Sequence, residues 1–387
     1  MKNSKRILSL FLSFVLLVSL FCVSSFSSNA ATIISDGDFD YAVNGNGTYN
    51  LYKYNGTDTD ITVPQYFNDC LVVGVSGYAF QNSAAVNVQL PDSITTLDAS
   101  AFYGAANLKS VNIPSSVDTV GNYCFAYCTA LEIIDITSAD IDSIPAGMFQ
   151  GCSSLTTVNI PENITSIKGS FLRECTSIKS VIIPDTVTSL GDYAFYNCAA
   201  LTDVTLSNNI TSILAYTFYG CSSLTTLKIP NGITSIGNRA FYNCSALNSI
   251  EFPISLTTIG VKTFQGCSEL KSIFLPDSIT SIGKDCFYPM SISNTLTADV
   301  YEGSYAENYC YQNYINTNIS TKLAGDANND GFINISDVTF VQKYAARMIS
   351  FDNYKHEGLA DVTADGVVNI RDAAKIQMYV VNKIESL

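Results

Sequence analysis

The feature that most constrains the fold is a phenylalanine that returns every 22 to 24 residues through the middle of the chain. The members of this series are Phe80, Phe102, Phe125, Phe149, Phe171, Phe195, Phe218, Phe241, Phe264 and Phe287. A fixed period of this length is typical of repeat architectures, in which each unit stacks only on its neighbours. We therefore expect a solenoid in which one short unit is written ten times.

Each unit opens with apolar residues spaced as in a short strand, such as Leu224, Leu227 and Ile229. The last two alternate with polar residues at the period of a half-buried strand. A proline follows, here Pro230, where the strand ends and no further ladder donor is needed. The sequence thus predicts one short parallel strand per unit, with an irregular or short helical return to the next.

Two further columns accompany the phenylalanines. A small residue precedes most of them, and we expect it to lie in the core: Ala79, Ala101, Cys124, Ala194, Ala240 and Cys286. Glycine recurs four residues before the phenylalanine, as Gly121, Gly191, Gly237, Gly260 and Gly283. Since glycine adopts positive φ without steric cost, these positions predict a turn in the left-handed region.

The chain has 12 cysteines, and seven of them form another column at the repeat period. These are Cys128, Cys152, Cys175, Cys198, Cys221, Cys244 and Cys267. In-register coils would lie ~4.8 Å apart, which is within the range that a disulfide tolerates. Two interpretations stay open: buried free thiols that bond to turn backbone groups, or bridges between some neighbours. Zinc is disfavoured, because it prefers paired cysteines or histidines.

The unit resembles leucine-rich repeats, and more closely the short repeats of the BspA-like group of bacterial surface proteins. The pattern Ile-Pro-x-x-Ile-Thr-Ser-Ile-Gly-x-x-Ala-Phe-x-x-Cys-x-x-Leu of that group matches residues 229–247. The resemblance covers roughly residues 71–290. It implies capped ends as well, because end coils would otherwise expose apolar core. Residues 33–70 resemble an N-terminal hairpin with a degenerate first repeat, and residues 298–310 a closing strand and short helix.

The remaining segments complete the predicted organisation. Lys2, Lys5 and Arg6 precede an apolar run and small residues at 28–30, so residues 1–30 are expected to be a secretory signal peptide. The mature chain would then carry no membrane span. We expect the capped leucine-rich-repeat solenoid at residues 31–310, a polar linker at 311–323 and a separate domain at 324–387.

Composition excludes several functions. The formal net charge of −14 argues against a nucleic-acid partner, which requires a basic face. The chain has one histidine, so no site that needs two imidazoles can exist. Nothing in the repeats singles out a carboxylate pair for acid–base chemistry, and an enzyme is not expected.

Two stripes on the solenoid are candidate binding surfaces. The first points outward from the strands and holds Ser110, Asn112, Asp135, Thr157, Asn159, Ser180, Asp203, Thr205, Thr226, Lys228, Ser249, Glu251, Ser272 and Phe274, with Ile133 and Ile182 as apolar exceptions. The second follows the phenylalanines and holds Tyr103, Tyr196, Tyr219, Tyr242 and Tyr288. The first stripe either binds a ligand or simply suits an exposed sheet. The tyrosines either stack on sugars and partners or pack partly against the convex side.

The last sixty residues carry a different pattern. Two twelve-residue loops, 326–337 and 361–372, place oxygen ligands at positions 1, 3, 5, 9 and 12, a main-chain carbonyl at 7 and glycine at 6. The predicted ligands of the first loop are Asp326, Asn328, Asp330, Phe332, Asn334 and Asp337. Those of the second are Asp361, Thr363, Asp365, Val367, Asn369 and Asp372. Three carboxylates in each loop repel one another unless a hard cation neutralises them, so we expect two calcium ions.

An amphipathic helix is predicted after each loop but not before it. This loop–helix duplication resembles a type I dockerin, a small all-α module that docks exported proteins onto the cohesins of cellulosome scaffolds. In that family, loop positions 10 and 11 and exposed residues of the following helix select the partner. The matching residues are Ile335, Ser336, Gln342 and Lys343 in the first copy, and Ile370, Arg371, Gln377 and Met378 in the second.

The resemblances imply a secreted, non-catalytic binding or adhesion protein, extracellular or held at the cell surface by the scaffold. Calcium-dependent docking onto a cohesin would anchor it, and the solenoid would recognise a protein or a polysaccharide. The alternative is an exported enzyme or protease inhibitor that uses the repeat surface.

Overall fold

The structure, a computed structural model, describes residues 32–289, 295–320, 325–328, 333–346, 360–363 and 367–381. The predicted signal peptide lies outside the described residues. The described chain begins with a small sheet formed by β1 (Ile33–Ser35), β2 (Phe39–Val43), β3 (Tyr49–Tyr54), β5 (Tyr66–Phe67) and β6 (Cys70–Val75). Its pairing is antiparallel through β1, β2 and β3, and becomes parallel between β3 and β6. This change marks the passage from the N-terminal cap to the solenoid.

Each coil contributes two short strands, which form two rows along the solenoid. The first row consists of β4 (Asp60–Thr62), β7 (Asn87–Gln89), β9 (Ser110–Val111), β11 (Ile133–Asp135), β13 (Thr157–Asn159), β15 (Ser180–Ile182), β17 (Asp203–Thr205), β19 (Thr226–Lys228), β21 (Ser249–Glu251), β23 (Ser272–Phe274), β25 (Thr297–Tyr301) and β26 (Asn316–Ser320). The second row consists of β8 (Thr96–Leu97), β10 (Thr119–Val120), β12 (Ser143–Ile144), β14 (Ser166–Ile167), β16 (Ser189–Leu190), β18 (Ser212–Ile213), β20 (Ser235–Ile236), β22 (Thr258–Ile259) and β24 (Ser281–Ile282). Both rows pair in parallel, and the predicted parallel-strand solenoid is confirmed.

The first-row strands alternate as the sequence predicts. In β19, Thr226 and Lys228 are exposed while Leu227 between them is buried. Register is direct, since Leu227 pairs with Ile250 of the next coil. Equivalent side chains therefore lie above one another, and each coil's apolar face is buried by its neighbours.

The phenylalanine column is a stack of rings that is interrupted in one coil. Centroids of stacked neighbours are 4.7–5.8 Å apart from Phe80 to Phe149 and again from Phe195 to Phe287. The prediction that Phe171 occupies the ring position of its coil is wrong, although its ring packs edge to face on Phe149 with centroids 5.9 Å apart. Leu172 takes the ring position, because its N–H bonds to Ala194 O just as that of Phe195 bonds to Thr217 O.

Phe171 instead fills the small-residue position of its coil, where the N–H of Phe149 bonds to its carbonyl. Both Phe171 and Leu172 are fully buried. A sequence signal for this register exists: the column cysteine comes three residues after the ring position in its neighbours, and Cys175 is three after Leu172.

The glycine column also has a different cause from the predicted one. Gly121, Gly191, Gly237, Gly260 and Gly283 do not adopt positive φ. A Cβ at Gly237 would lie 2.6 Å from the nitrogen of Ala215 in the preceding coil, and one at Gly260 would lie 2.5 Å from that of Asn238. Close approach of two backbones, rather than turn conformation, therefore excludes a side chain here. Positive φ occurs two residues before the ring position, as in Tyr193 and Tyr216.

All seven column cysteines are buried and free. Each thiol donates a hydrogen bond to the carbonyl of the ring-position residue one coil earlier, with Sγ–O distances of 3.0–3.2 Å. The structure thus has the buried thiol ladder and not the bridged alternative. Burial raises the pKa of Cys152 to about 12, so this thiol is protonated and unreactive at neutral pH.

The C-terminal cap extends further than predicted. Helix α1 (Tyr305–Gln312) follows β25, and Ser304 caps its N-terminus by accepting from the N–H of Glu307 at 3.0 Å. Strand β26 then pairs in parallel with β25. Residues 311–320, which the sequence assigns to a linker, thus supply the end of α1 and a cap strand, because β26 satisfies the backbone of β25.

The last part of the described chain contains two helices, α2 (Ile335–Ala345) and α3 (Ile370–Val380), in the positions that the amphipathic spacing predicts. They pack together around a small separate core. Its buried members are Ala327, Val338, Val341, Ala360, Val362, Ala373 and Ile376. No helix in the described parts of the chain is long and apolar enough to cross a bilayer.

Candidate metal centre and docking face

In the first loop, the carboxylate at position 12 accepts hydrogen bonds from two backbone N–H groups of the same loop. Asp337 is fully buried, and its Oδ1 accepts from the N–H of Asn328 at 3.1 Å while its Oδ2 accepts from the N–H of Asn334 at 2.7 Å. Asp326, at position 1, is also buried. Positions 1, 3, 9 and 12 therefore converge on one region of the fold.

The second loop repeats this arrangement 35 residues later. Asp372 is fully buried, and its oxygens accept from the N–H groups of Thr363 at 3.0 Å and Asn369 at 2.8 Å. The hydroxyl of Thr363 lies 2.8 Å from Asp372 Oδ1 and 3.4 Å from Asp361 Oδ1. The side chain of Asn369 donates to the carbonyl of Val367 at 2.7 Å. Five predicted ligand residues are thus brought together by contacts among themselves.

The helices fix the loops through their N-caps. Asn334 and Asn369 are the N-cap residues of α2 and α3, and each forms a capping box with the aspartate three residues later. A capping box satisfies two of the free donors at a helix start. The same two residues are positions 9 and 12 of the calcium pattern. The start of each helix therefore holds part of the predicted ligand set in place.

The donor set fits a hard cation. The described ligands are carboxylate, amide, hydroxyl and main-chain oxygens, with no sulfur or imidazole among them, which suits calcium. Burying a carboxylate is costly unless positive charge compensates it, and Asp326, Asp337 and Asp372 are each at most 1% exposed. Calcium bound by these residues would supply that charge and order each loop on its helix.

Part of the predicted set lies outside the described residues, namely Asp330, Phe332 and Asp365. Among the described residues, no group of three histidine, cysteine, aspartate or glutamate side chains is assembled. Each loop's described part contributes two carboxylates, and the third carboxylate of each is one of the residues just named.

All eight predicted cohesin-contacting residues lie on the surface of α2 and α3. Ile335 and Ile370 are 58% and 59% exposed, which is unusual for isoleucines at the first turn of a packed helix. The other six are exposed as well: Ser336, Gln342, Lys343, Arg371, Gln377 and Met378. Ile335 and Gln342 of the first copy have identical residues, Ile370 and Gln377, at the equivalent positions of the second. Ser336 and Lys343 do not, because the equivalent residues are Arg371 and Met378. The two faces share a shape and differ in charge.

The outward face of the first-row strands is polar and solvent-exposed, as predicted, except that Phe274 is half-buried against Tyr301. Ile133 and Ile182 stand out at 58% and 70% exposed. Short polar contacts run between coils along this face, such as Ser110 Oγ to Asn87 Oδ1 at 2.6 Å. At the positions where they occur, these contacts tie neighbouring coils together.

The tyrosine stripe is largely a packed ladder. The ring of Tyr219 lies between those of Tyr196 and Tyr242, at centroid distances of 4.6 and 4.8 Å with nearly parallel planes. Sequence analysis missed a second column beside it, in which Tyr193 stacks on Tyr216 at 4.7 Å.

Arginine contacts this double ladder at two places. The guanidinium of Arg173 lies over Tyr193 and Tyr196, and that of Arg239 lies over Tyr216 and donates to its hydroxyl at 2.6 Å. Because the rings of Tyr193, Tyr196, Tyr216 and Tyr219 contact one another or arginine, this part of the stripe stabilises the coils.

Fold and site together define a leucine-rich-repeat solenoid joined to a small duplicated loop–helix module. The family model of the BspA type leucine rich repeat region matches residues 74–202 and 188–318, with six copies. The chain belongs to this family of BspA-type leucine-rich-repeat proteins. The model of the dockerin type I domain matches residues 324–381, which identifies the C-terminal module as a type I dockerin.

Several solved structures are similar to the solenoid. A leucine rich cell surface protein from Faecalibacterium prausnitzii is 25% identical, with 76% of this chain and 96% of that one covered and a TM-score of 0.48. The pneumococcal vaccine antigen PcpA is 16% identical, with 76% and 100% covered and a TM-score of 0.46. The leucine rich repeat protein of T. pallidum is 21% identical, with 62% and 91% covered and a TM-score of 0.39. No curated protein matches the chain.

Proposed function

We propose that this chain is a secreted, non-catalytic binding or adhesion component of a cellulosome-type complex. Residues 1–30 would direct export, and the capped solenoid would recognise a protein or polysaccharide outside the cell. Residues 324–387 would bind the chain to a cohesin of the scaffold. Type I dockerins typically bind calcium and cohesins, and the family match places such a module at the C-terminus.

One observation carries the docking proposal: apolar side chains are displayed where the metal loops meet their helices. Ile335 and Ile370 directly follow the N-cap asparagines, yet more than half of each side chain is exposed. Exposed apolar residues rimmed by polar ones mark interaction sites. Because the loops position the first turn of each helix, metal binding and the docking face are coupled.

Each loop is proposed to hold one calcium ion. The ligands would be the predicted twelve residues, of which Asp326, Asp337, Asp361 and Asp372 supply four of the six carboxylates. The metal neutralises these carboxylates and closes the loop. The capping boxes then transmit that order to the exposed faces of α2 and α3.

The test is calorimetric titration of the full chain against a panel of cohesins. The double variant Asp326→Ala, Asp361→Ala removes the first ligand of each loop and is expected to abolish binding, as chelator should in the parent chain. Asp92→Ala, which removes an exposed carboxylate of the solenoid, is the matched control and is expected to bind normally. Equal affinity of the double variant and the parent would contradict the proposal.

The alternative, an enzyme or protease inhibitor, predicts a different result for the same preparations. It requires turnover of a polymer or inhibition of a protease by the solenoid, independent of the dockerin. Detectable hydrolysis of cell-wall polymers, or inhibition of a protease panel at stoichiometric concentration, would favour it over a purely binding role.

A further inference from the structure

The N-terminal end of the solenoid carries a cleft that neither the dockerin nor the strand face accounts for. Its volume is about 690 Å³, within the range of small-molecule sites. One wall is formed by residues 52–57, at and after the end of β3, and the other by residues 77–84 of the first coil. We call it the cap cleft.

Main-chain bonds hold the two walls of the cap cleft together. The N–H of Tyr54 donates to Ala79 O and that of Ser76 to Leu51 O, each at 2.8 Å. The buried ring of Tyr54 lies 6.0 Å from that of Phe80, the first ring of the stack. The cleft is thus built on fixed backbone and core, which favours binding with little ordering cost.

The lining combines open aromatic rings with side chains that both donate and accept. Tyr52 and Tyr78 are 46% and 52% exposed. Asn55, Gln81 and Asn82 add planar amides, each with a donor and an acceptor end, although the Asn55 side chain already donates to Asp40 at 2.8 Å. A sugar ring has apolar C–H faces that pack on the negative face of an aromatic ring, and hydroxyls that pair with amides.

The charge of the cap cleft favours a neutral ligand. Among the described residues that line it, Lys53 alone carries a charge. The pKa of Asp40, which pairs with Lys53 on the neighbouring strand, is lowered chiefly by a hydrogen bond from Asn55 and to a lesser degree by the charge of Lys53. The ammonium therefore already has a counter-charge nearby. A strongly anionic ligand would meet the acidic surroundings of a chain of net charge −14.

Ring geometry separates this site from the tyrosine ladder described above. Tyr78 contacts Tyr103 edge to face, with centroids 5.7 Å apart and planes at 66°. In such a pair at least one face of each ring is left uncovered by the other. Tyr219, in contrast, has neighbours stacked on both faces. Tyr78 therefore keeps an open ring face at the cap, whereas Tyr219 in the middle of the ladder has none.

We propose that the cap cleft binds a neutral oligosaccharide, with Tyr52 and Tyr78 packing on its sugar rings and the amides pairing with its hydroxyls. This deepens the proposed function, on which it rests, by giving the recognition role of the solenoid a site and a ligand class. Stretches of a polysaccharide chain, rather than a folded protein surface, would enter the cleft.

The experiment titrates the full chain with soluble cello-, xylo- and manno-oligosaccharides, an oligogalacturonide as the charged comparison, and a neutral Gly-Ser-Asn peptide. Tyr52→Ala and Tyr78→Ala are each expected to lower affinity for the bound sugar about tenfold or more, since one stacking contact is lost. Tyr52→Phe should retain it. Tyr66→Ala, an exposed cap tyrosine outside the cleft, is the matched control.

Gln81→Ala gives a second readout. The side chain is exposed and lines the cleft, so the change should weaken sugar binding without lowering the melting temperature. The proposal is overturned if no neutral sugar binds saturably, if only the peptide or the oligogalacturonide binds, or if the cleft variants bind like Tyr66→Ala. Cohesin titration of the same preparations reports separately on the proposed docking role.

Discussion

The thiol of Cys221 donates a hydrogen bond to the carbonyl of Phe195, one coil earlier, at an Sγ–O distance of 3.1 Å. The same carbonyl accepts from the N–H of Cys198 within its own coil. A single side chain thus ties two coils at the turn that follows each buried ring. Repeated seven times, this contact explains why cysteine, small and weakly polar, recurs in the core of the solenoid.

Cys221→Ser is expected to be mild, because the hydroxyl can make the same bond, with a loss of about 1 kcal/mol in unfolding free energy. Phe218→Ala is expected to cost about 3–5 kcal/mol, because it opens a cavity in the ring stack. Phe218 is fully buried between Phe195 and Phe241, at 5.2 Å from each. Urea denaturation of the two variants measures the difference, and equal losses would contradict this role for the column.

Stability should fall at alkaline pH because the thiols are buried. Burial raises the pKa of Cys152 and of Cys286 to about 12, whereas a free thiol titrates near ~8.5. The contribution of these thiols is complete below ~8.5, and is lost as the pH rises towards 12, by up to about 1.4 kcal/mol per pH unit for each thiol.

Cys152→Ser provides the comparison for this pH effect. Its unfolding free energy should decline less steeply than that of the parent between pH 8.5 and the onset of general alkaline unfolding, since one raised pKa is gone. Urea titrations of both proteins at matched pH values give the slopes. Identical slopes, or fast labelling of the native thiols at pH 8, would show that the column is accessible.

Gly237→Ala is expected to destabilise the solenoid by about 1–3 kcal/mol through overpacking. Its Cβ would sit 2.6 Å from the backbone nitrogen of Ala215, which cannot move without separating two coils. Gly232→Ala is the matched control, because its Cβ would meet its nearest atom at 3.5 Å, an ordinary contact. Thermal denaturation compares the two, and a normal melting temperature for Gly237→Ala would refute the close-approach explanation.

The register of the fourth and fifth coils can be tested by exchanging two neighbours. Phe171→Ala alone should cost about 3–5 kcal/mol. Adding Leu172→Phe places a ring at the column position between Phe149 and Phe195 and is expected to recover much of that loss. If the double variant is less stable than the single one, Phe171 rather than Leu172 belongs to the ring column.

Asp337→Asn should weaken calcium binding in the first loop. The change removes a buried negative charge and turns one of the two oxygens that accept from Asn328 and Asn334 into a donor. Calorimetric titration of the full chain with calcium should then show one strong site in place of two, and Thr339→Ala should keep both. Unchanged stoichiometry in Asp337→Asn would remove this residue from the ligand set.

Much of the architecture can be read from periodicity. Apart from Phe171, the ring column, the alternating strand residues and the small core positions occupy fixed offsets in the sequence, and the structure has them where those offsets predict. Repetition makes this possible, because an in-register solenoid places residues with the same offset in the same environment. The exposed positions of α2 and α3 could be located for the same reason, since the two helices repeat one pattern 35 residues apart, while their docking role and the calcium loops stay predictions.

The sequence by itself determined the repeat, its core and the dockerin, since each depends on contacts that recur along the chain. Only the tertiary structure decided why glycine precedes five of the rings, that Leu172 replaces Phe171, that residues 316–320 close the cap, and that the tyrosines form a ladder. The physical reason is that these depend on the distance between neighbouring coils. A Cβ at Gly237 would come within 2.6 Å of the backbone nitrogen of Ala215 in the preceding coil, and this close approach exists only once the coils are stacked.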